Sequence, residues 1–345
     1  MATIHDIAKE LNITASTVSR ALKDHPRISE ATKKAVLKTA KKLNYQPNYI
    51  AAALRNGRSK IIGIIVPTID RSFFGSIIRG IEEVANAANY NVMICQSHDD
   101  FKKEAATVEA LLNARVDGIM VSFAKDCQNF DHFKKVKEKN IPLVLFDRAF
   151  QGLDVSIVVI DDYQGAYKAT EHLIEQGCRR IAHFTSIYKI NIYKERFRGY
   201  KEALEAHGIP IDKNLIIESN LQYEDGRTGM EQLLQLPELP DAIFSASAYG
   251  AISALEVCKE RGIKVPEQIA IAAFANESFT IFCDPPITTV DQQSIQIGNA
   301  VAEIFLEQIS VGAEKFVPKR IVLSPDLIIR RSTLRLEALK LKSKN

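Results

Sequence analysis

Short apolar runs alternate with helix-forming stretches from residue 61 onward, and this alternation restricts the possible folds more than any other feature of the sequence. Residues 73–88 place apolar side chains at positions i, i+3 and i+4, the spacing of a helix packed against a sheet. Strands that alternate with helices in this way form βαβ units and parallel sheets. Two doubly wound parallel sheets are therefore predicted, with strands at Ile61–Val66, Asn91–Cys95, Val116–Val121, Pro142–Phe146 and Ser156–Ile160, then at Arg180–Phe184, Leu215–Glu218, Ala242–Ser245 and Ile269–Phe274.

The first 45 residues carry a different pattern, which predicts an all-α unit. Apolar residues recur at helical spacing over residues 4–11, 15–22 and 30–43. Thr3 and Thr14 precede the first two stretches and can cap them, because a threonine hydroxyl accepts a hydrogen bond from the first turn of a helix. Three such helices can enclose one small hydrophobic core.

The second of these helices exposes small hydroxyl side chains and one arginine. Two helices joined by a turn of three or four residues form a helix-turn-helix, which places its second helix in the major groove of DNA. There, Ala15 or the Thr17 methyl group can meet thymine methyl groups, Ser16 can bond to a base edge, and Arg20 can reach guanine or a phosphate. An ordinary three-helix bundle is the alternative that the helices alone leave open.

Charge is distributed unevenly along the chain. Residues 1–60 hold twelve Lys or Arg against four Asp or Glu, a net charge of +8, and residues 330–345 add +5. The whole chain has a net charge of only +3, which leaves −10 for residues 61–329. A basic segment attracts the phosphodiester backbone, so the N-terminal region suits nucleic acid and the acidic body does not.

A short segment after the third helix predicts a fourth helix that needs a partner. Pro47 ends the third helix, Asn48 can cap the next, and Gly57 stops it after about two turns. Isolated helices of that length are marginal in water, so this segment depends on another surface for its order.

Three stretches of the sequence together resemble the headpiece and hinge of the LacI/GalR family of bacterial transcription regulators: TIHDIAKELNITASTVSRAL, RISEATKKAV and LNYQPNYIAAALRNGRS. The resemblance implies that the second helix reads the major groove of an operator and that the hinge helices of a homodimer fold on DNA. It also implies that Leu54 wedges into the minor groove, with the basic Arg55 beside it. The predicted DNA-binding residues are Thr3, Ala15, Ser16, Thr17, Ser19, Arg20, Arg27, Tyr45, Asn48, Leu54 and Arg55.

The resemblance continues through the body and implies a periplasmic-binding-protein-like core of two lobes. The implied organisation is a headpiece at 1–46, a hinge at 47–60, a core at 61–333 and a basic tail at 334–345. The chain is expected to cross between the lobes near 160, 290 and 320. The N-lobe would thus comprise about 61–160 and 291–320, and the C-lobe about 161–290 and 321–333. In such folds a ligand lies at the carboxyl ends of the strands, in the crevice between the lobes.

Effector-binding residues follow from the same resemblance. Phe73 and Phe74 match the place of an aromatic that contacts the effector ring, although core packing explains them equally well. Asp147 and Arg148 end the fourth strand in the family's FDR motif, and Arg196 matches an arginine that holds effector hydroxyls or carboxylates. A planar fork of donors suits such groups.

Two departures from the family pattern remove common polar ligands, because Ala248 and Ala275 stand where relatives carry polar side chains. Ser247, Asn276 and Asp70 are the expected substitutes. Contacts typical of purine-sensing members are also replaced, at Ile190, Ile192 and Leu221. The predicted effector is therefore a carbohydrate or its phosphate, with induction and co-repression both left open.

Other classes of protein lack support in the sequence. The motifs GxGxxG, GxxxxGK[ST], HExxH and GxSxG are absent, which argues against an enzyme, and His132 and His183 are expected to be structural. Five cysteines occur singly, so neither a metal site nor a disulfide framework is expected, and no cofactor is predicted. A transport receptor would need a signal peptide, whereas MATIHDIAKELN is charged, so a cytoplasmic protein without membrane association is expected. The leucines of the tail do not sustain heptads, which favours a dimer over a tetramer.

Overall fold

The structure is a computed structural model that describes residues 2–45, 58–127, 129–148, 150, 152–187, 190–312 and 314–335. The predicted contacts Asn48, Leu54 and Arg55 and the predicted hinge helix lie outside the described residues, as does nearly all of the basic tail. The chain divides into two compact units, residues 1–59 and residues 60–345.

The N-terminal unit consists of three helices, as predicted. They are α1 (Ile4–Leu11), α2 (Ala15–Leu22) and α3 (Glu30–Lys42). Each begins after a hydroxyl residue, Thr3, Thr14 or Ser29, whose side chain accepts a hydrogen bond from a backbone N–H in the first turn. The helices enclose a small core of apolar side chains contributed by Ile7, Ala8, Val18, Ala21, Val36 and Ala40.

The first lobe of the second unit is a six-stranded parallel sheet with helices on its faces. In chain order its elements are β1 (Ile61–Val66), α4 (Ser72–Ala87), β2 (Asn91–Gln96), α5 (Phe101–Asn113), β3 (Gly118–Val121), α6 (Asp131–Glu138), β4 (Leu143–Phe146) and β5 (Ser156–Ile160), followed much later by α11 (Ser294–Val311) and β11 (Arg320–Leu323). The strand order is β11-β5-β4-β3-β1-β2.

The second lobe repeats this architecture with one edge strand reversed. Its elements are α7 (Asp162–Glu175), β6 (Ile181–Ser186), α8 (Asn191–Ala206), β7 (Ile216–Ser219), α9 (Tyr223–Leu233), β8 (Ala242–Ser245), α10 (Ala248–Glu260), β9 (Ala270–Phe274), β10 (Thr288–Asp291) and β12 (Asp326–Ile328). The strand order is β12-β10-β9-β8-β6-β7, and β12 pairs antiparallel with β10.

The chain crosses between the lobes three times, but the third crossing lies later than predicted. The first two follow β5 and β10, near 161 and 292, as expected. The third was expected near 320, yet Arg320–Leu323 pairs in parallel with β5 and still belongs to the first lobe. The crossing therefore falls between β11 and β12, because a short strand at the edge of the first sheet must be completed before the chain leaves that sheet.

Close helix packing fixes α4 within the first lobe. A Cβ on Gly80 would lie 2.4 Å from the Ile295 carbonyl oxygen, and a Cβ on Gly298 would lie 2.2 Å from that of Ile77. Glycine at both positions thus lets α4 and α11 approach backbone to backbone. The residues at the start of α4 consequently have a firmly supported position. Within the part of the chain that the structure describes, no helix is both long and apolar enough to cross a bilayer.

Candidate DNA-binding face and ligand cleft

The exposed face of α2 forms a shallow concave surface in the N-terminal unit. Four of the predicted DNA-binding residues line this surface together, namely Ala15, Ser16, Ser19 and Arg20. Arg20 and Ser16 are exposed, whereas Val18 on the opposite side of the helix is completely buried. The helix therefore divides into a core side and a polar side, which leaves the polar side free to approach DNA.

Most of the other predicted DNA-contact residues of the headpiece already form hydrogen bonds or packing contacts within this unit. The Thr3 hydroxyl caps α1 by accepting the Asp6 backbone N–H, and it also donates to Asp6 Oδ2 over 2.8 Å. Thr17 Oγ1 lies 2.9 Å from Thr14 Oγ1, the atom that caps α2. Arg27 is exposed, and Tyr45 packs partly buried against the small core. Of these residues, Arg27 has the freest side chain for a DNA contact.

Besides Ile4, two polar residues share the concave surface and were missed by sequence reasoning. Lys23 and His25 line it beside Arg20. The Lys23 position could have been found, because residues three apart share a face of a helix. His25 lies in the turn after α2, where its Nδ1 accepts the Arg27 backbone N–H over 3.1 Å. The spacing of apolar residues carries no signal for such a turn.

The turn between α2 and α3 is held by a lysine on the core side of α3. Lys33 Nζ donates to Asp24 Oδ1 over 2.6 Å and to Glu30 Oε1 over 2.8 Å. The Lys33 side chain is only 11% exposed, so its charge is balanced locally by the two carboxylates. This contact fixes the turn that carries His25 and Arg27.

A cleft lies between the two lobes of the second unit. All of its walls come from segments that follow the carboxyl ends of parallel strands, where open α/β sheets bind ligands. Six of the eight predicted effector residues line it, namely Phe73, Phe74, Asp147, Arg148, Arg196 and Ser247. The other lining residues are Arg71, Ile192, Tyr193, Ala246, Ala248, Tyr249, Ala275, Glu277 and Gln292.

The sequence left open whether Phe73 and Phe74 contact the effector or pack in the core, and the structure gives the two side chains different surroundings. Phe74 is 3% exposed and belongs to the hydrophobic core of the first lobe. Phe73 is partly buried and meets Phe74 edge to face, with ring centroids 5.0 Å apart. Phe73 is accordingly the better placed of the two for stacking on a ligand.

Arg196 is buried in the wall formed by α8 and is already bound on several sides. Its Nε donates to Asp162 Oδ1 over 2.8 Å, and its Nη1 donates to the Ala246 carbonyl over 2.9 Å. Its Nη2 also lies 2.8 Å from Asp162 Oδ1, and the guanidinium carbon lies 3.7 Å from the centroid of the Phe274 ring. A guanidinium has five N–H donors, so two of them are still available to a ligand.

Asp162 begins α7 directly after the first crossing between the lobes and is the partner of Arg196. Burial raises the pKa of Asp162 to about 7, although the nearby Arg196 charge opposes this rise. The carboxyl group is thus near its titration point at neutral pH. The charge state of this pair is sensitive to whatever enters the cleft.

Arg148 and Asp147 form a second buried charged group on the opposite wall. Arg148 Nη1 donates to Asp99 Oδ1 over 2.5 Å and also to the Phe123 carbonyl. Asp147 Oδ2 accepts the Ser122 hydroxyl over 3.0 Å, and burial raises the pKa of Asp147. The Arg148 Nε lies 3.9 Å from Asp147 Oδ2 and is a buried atom without a hydrogen-bond partner among the described residues. Arg148 and Asp147 are therefore held by contacts within the first lobe.

The structure does not place Asp70 in the cleft, contrary to prediction. Asp70 is exposed, and its Oδ2 accepts the Thr68 hydroxyl over 3.1 Å. The turn between β1 and α4 closes on this contact. As a result, Arg71 rather than Asp70 lines the cleft.

Asn276, another expected substitute, is also directed elsewhere. Its Nδ2 donates to Asp291 Oδ2 over 2.9 Å, and its Oδ1 accepts from Thr289 Oγ1 over 3.0 Å and from Arg330 Nη2 over 2.8 Å. These bonds tie the end of β9 to β10 and to the segment after β12. The amide of Asn276 therefore holds the second lobe together, and Asn276 lines a smaller neighbouring cavity with Phe73 and Gln292 instead of the cleft itself.

Glu277 is the acidic lining residue that sequence reasoning missed. It is 4% exposed, and its Oε2 accepts the Ser72 backbone N–H over 2.9 Å and also the Ser72 hydroxyl. A second contact between the lobes places the Arg71 guanidinium carbon 5.3 Å from the centroid of the Tyr249 ring. One signal for Glu277 was present in the sequence: it is an acidic residue two positions after Ala275, and Ala275 replaces a polar ligand that relatives usually carry.

Comparison with known proteins gives matches to both units. Residues 3–48 match the family described as bacterial regulatory proteins, lacI family. Residues 59–331 match the family described as periplasmic binding proteins and sugar binding domain of LacI family.

Individual proteins match over nearly the whole chain. The transcriptional regulator DegA of Bacillus subtilis is 34% identical over 334 residues, which cover 96% of this chain and 98% of DegA. The transcriptional repressor PurR of Actinobacillus pleuropneumoniae is 30% identical over 332 residues, with the same coverage. Among solved structures, a complex of the transcriptional regulator CelR with cellobiose is 27% identical and has a TM-score of 0.72. That match covers 96% of this chain and 100% of CelR.

Proposed function

Because this chain belongs to the LacI family of bacterial regulatory proteins and is a DNA-binding transcriptional repressor, not an enzyme, we propose that a carbohydrate or sugar phosphate in the cleft controls its operator affinity. The observation that supports this proposal most strongly is the convergence of Phe73, Arg148 and Arg196 on one cleft between two lobes. Aromatic faces and fixed hydrogen-bond donors are what a polyhydroxylated ring requires.

The side chains proposed to contact DNA are those on the concave surface of α2, together with Arg27. Ser16 and Arg20 would meet base edges in the major groove, while Lys23 and Arg27 would meet phosphates. The proposed contacts in the minor groove, Leu54 and Arg55, would act beside them. Phosphate contacts supply affinity that depends on salt, and base contacts supply the choice of operator.

Two copies of the chain are proposed to act together on an operator with two half-sites. Exposed apolar side chains on the second unit support pairing, since Phe282 is 85% exposed and Ile281 is 52% exposed. The edge strand β2 adds Met93 and Ile94, which are 39% and 44% exposed. A symmetric dimer would place its two recognition helices about 34 Å apart, one turn of the DNA helix. The proposed site of action is the cytoplasm, where the operator DNA is found.

The proposed coupling runs through the orientation of the two lobes. A ligand that contacts both walls binds one lobe orientation better than another, and only that difference in affinity can change the affinity for DNA. The three connections between the lobes are where a hinge motion would occur.

The proposal is tested with the full chain and a panel of sugars, sugar phosphates and nucleosides. A ligand that binds the folded protein raises its melting temperature, so at least one carbohydrate should do so. That carbohydrate should also change the dissociation constant for an operator selected from a random duplex library. A melting temperature that rises only with nucleosides, or with no member of the panel, would contradict the proposed effector class.

A further inference from the structure

The N-terminus of α4 lies on the wall of the cleft and has no side-chain cap from its own segment. Its N-cap residue is Arg71, whose side chain makes no capping hydrogen bond. The first backbone N–H groups of a helix have no partner within the helix and carry a partial positive charge, so they attract anions. With the Arg71 guanidinium beside it, this helix end is the part of the cleft best suited to a phosphate group.

A carboxylate of the protein already occupies this position. Glu277 reaches from the opposite lobe, and one of its oxygens accepts both the backbone N–H and the hydroxyl of Ser72, the first residue of α4. The Ser278 backbone N–H donates to the same Ser72 hydroxyl oxygen over 3.3 Å, which holds the segment in place. Glu277 therefore caps a helix 205 residues away in the sequence and supplies the anion that the helix end attracts.

The other cations of the cleft are balanced as well. Arg148 is paired with Asp99 over 2.5 Å, and Arg196 is paired with Asp162 over 2.8 Å. The Arg148 Nε is itself buried and lies 3.9 Å from Asp147 Oδ2, so Arg148 offers no unbalanced charge to a ligand. A phosphate would bring about two negative charges to a cleft that Asp147 and Glu277 already line, whereas a sugar hydroxyl brings none.

We infer that the cleft selects an uncharged carbohydrate against its phosphorylated form, and that Glu277 makes this selection by occupying the N-terminus of α4. The inference rests on the proposed function, because it names the kind of carbohydrate that the same cleft takes. A phosphate group must displace the Glu277 carboxylate from Ser72 and then remain near it. An uncharged sugar needs no such displacement.

The role of Glu277 is tested first with inorganic phosphate, which requires no knowledge of the effector. Binding is measured by calorimetry and by the shift in melting temperature for the full chain and for Glu277→Ala, Glu277→Gln and Glu314→Gln. Glu314 is exposed in the segment after α11, so the last variant removes one negative charge without altering the cleft. Glu277→Ala should bind phosphate at least tenfold more tightly than the unaltered protein, and Glu314→Gln should not.

The Glu277→Gln variant separates the effect of charge from the effect of occupancy. Its side-chain amide oxygen can still accept a hydrogen bond from Ser72, but the side chain carries no charge. Phosphate affinity in Glu277→Gln should therefore lie between those of the unaltered protein and Glu277→Ala. Circular dichroism confirms that each variant is folded before binding is compared. Equal phosphate affinities in folded Glu277→Ala and the unaltered protein would overturn the inference.

The second arm compares a sugar with its own phosphate ester in the same proteins. The unaltered protein should prefer the neutral sugar at least tenfold, and this preference should fall at least tenfold in Glu277→Ala. Tighter binding of the ester by the unaltered protein would overturn the inference while leaving the proposed effector cleft intact. Binding of neither form would contradict the proposed function, and the phosphate titration would still decide what Glu277 does.

Discussion

The headpiece and the cleft use their polar side chains in opposite ways. On α2, Ser16 and Arg20 are exposed on a helix whose stability comes from a separate apolar side. In the cleft, Asp147, Arg148 and Arg196 are each 5% exposed and bonded within the protein before any ligand arrives. Substitution of an exposed side chain changes the free energy of unfolding little, whereas removal of one member of a buried ion pair leaves the other charge without its partner and lowers that free energy.

The two units therefore differ in where they can tolerate sequence change. Under the proposed function, operator choice would be altered by exchanging exposed residues of α2, because few of them support the headpiece core. Effector choice would be more constrained, since Arg148 and Arg196 are each paired with a carboxylate of the protein.

The largest effect is expected from Arg196→Ala, which leaves Asp162 buried without its cationic partner. Removal of one member of a buried ion pair costs about 3 to 5 kcal/mol of unfolding free energy. The loss should also depend on pH. Burial raises the pKa of Asp162 above its unfolded value, so its contribution to stability is present below about pH 4 and is lost as the pH rises toward 7.

In the variant the pKa of Asp162 rises further, because the charge that lowered it is gone, and the loss continues above pH 7. Chemical denaturation should consequently show a larger destabilisation at pH 8 than at pH 6. Arg196→Ala combined with Asp162→Asn serves as the control, since it contains no buried charge at this pair and should lack this pH dependence. A destabilisation below about 1 kcal/mol at both pH values would mean that the Arg196 site behaves like the surface of the headpiece.

A somewhat smaller effect is expected from Ile7→Ala in the headpiece. Ile7 is completely buried in a core of few apolar side chains, and such a truncation costs about 2 to 5 kcal/mol. Operator binding should be lost while the ligand-induced shift in the melting of the second unit persists, because the two units are separately compact. Two transitions in calorimetry would measure this. Loss of the ligand response in Ile7→Ala would show that the units are not independent.

The smallest change in stability is expected from Arg20→Ala. The unfolding free energy should change by no more than about 0.5 kcal/mol, because Arg20 is exposed. Operator affinity should nevertheless fall by about 1 to 3 kcal/mol if Arg20 contacts a base. Lys38→Ala is the matched control, since Lys38 is an exposed cation on α3 outside the concave face. Equal losses of operator affinity in both variants would reduce Arg20 to a general electrostatic role.

Much of the fold was predictable because it depends on local spacing. The apolar runs that predicted β1, β5 and β8 have the observed bounds, and the remaining predicted strands are shifted by no more than two residues. The third crossing lies a few residues later than the sequence indicated, between β11 and β12. The strand Arg320–Leu323 has a mixed burial pattern and joins β5, more than 150 residues earlier, so no local pattern assigns it to the first lobe.

The candidate site was predictable where the family pattern names a position, as at Phe73, Arg148 and Arg196. The substitutes Asp70 and Asn276 were chosen from their place in the sequence, and both turned out to bond within their own lobe. Glu277 was missed because its partner, Ser72, lies on the opposite lobe. Contacts between the lobes depend on how two sheets face each other, and the sequence carries no local signal for that arrangement. The predictions for Leu54 and Arg55 stay as predictions.

The three crossings between the lobes have a consequence for how such a protein can diversify. Neither lobe corresponds to one uninterrupted stretch of codons, because the chain enters each lobe more than once. Genetic recombination at a single point therefore cannot transplant a complete lobe from a relative. New specificities in this architecture are expected to accumulate through individual codon changes at the facing walls, while the helices that read DNA can be exchanged as one cassette.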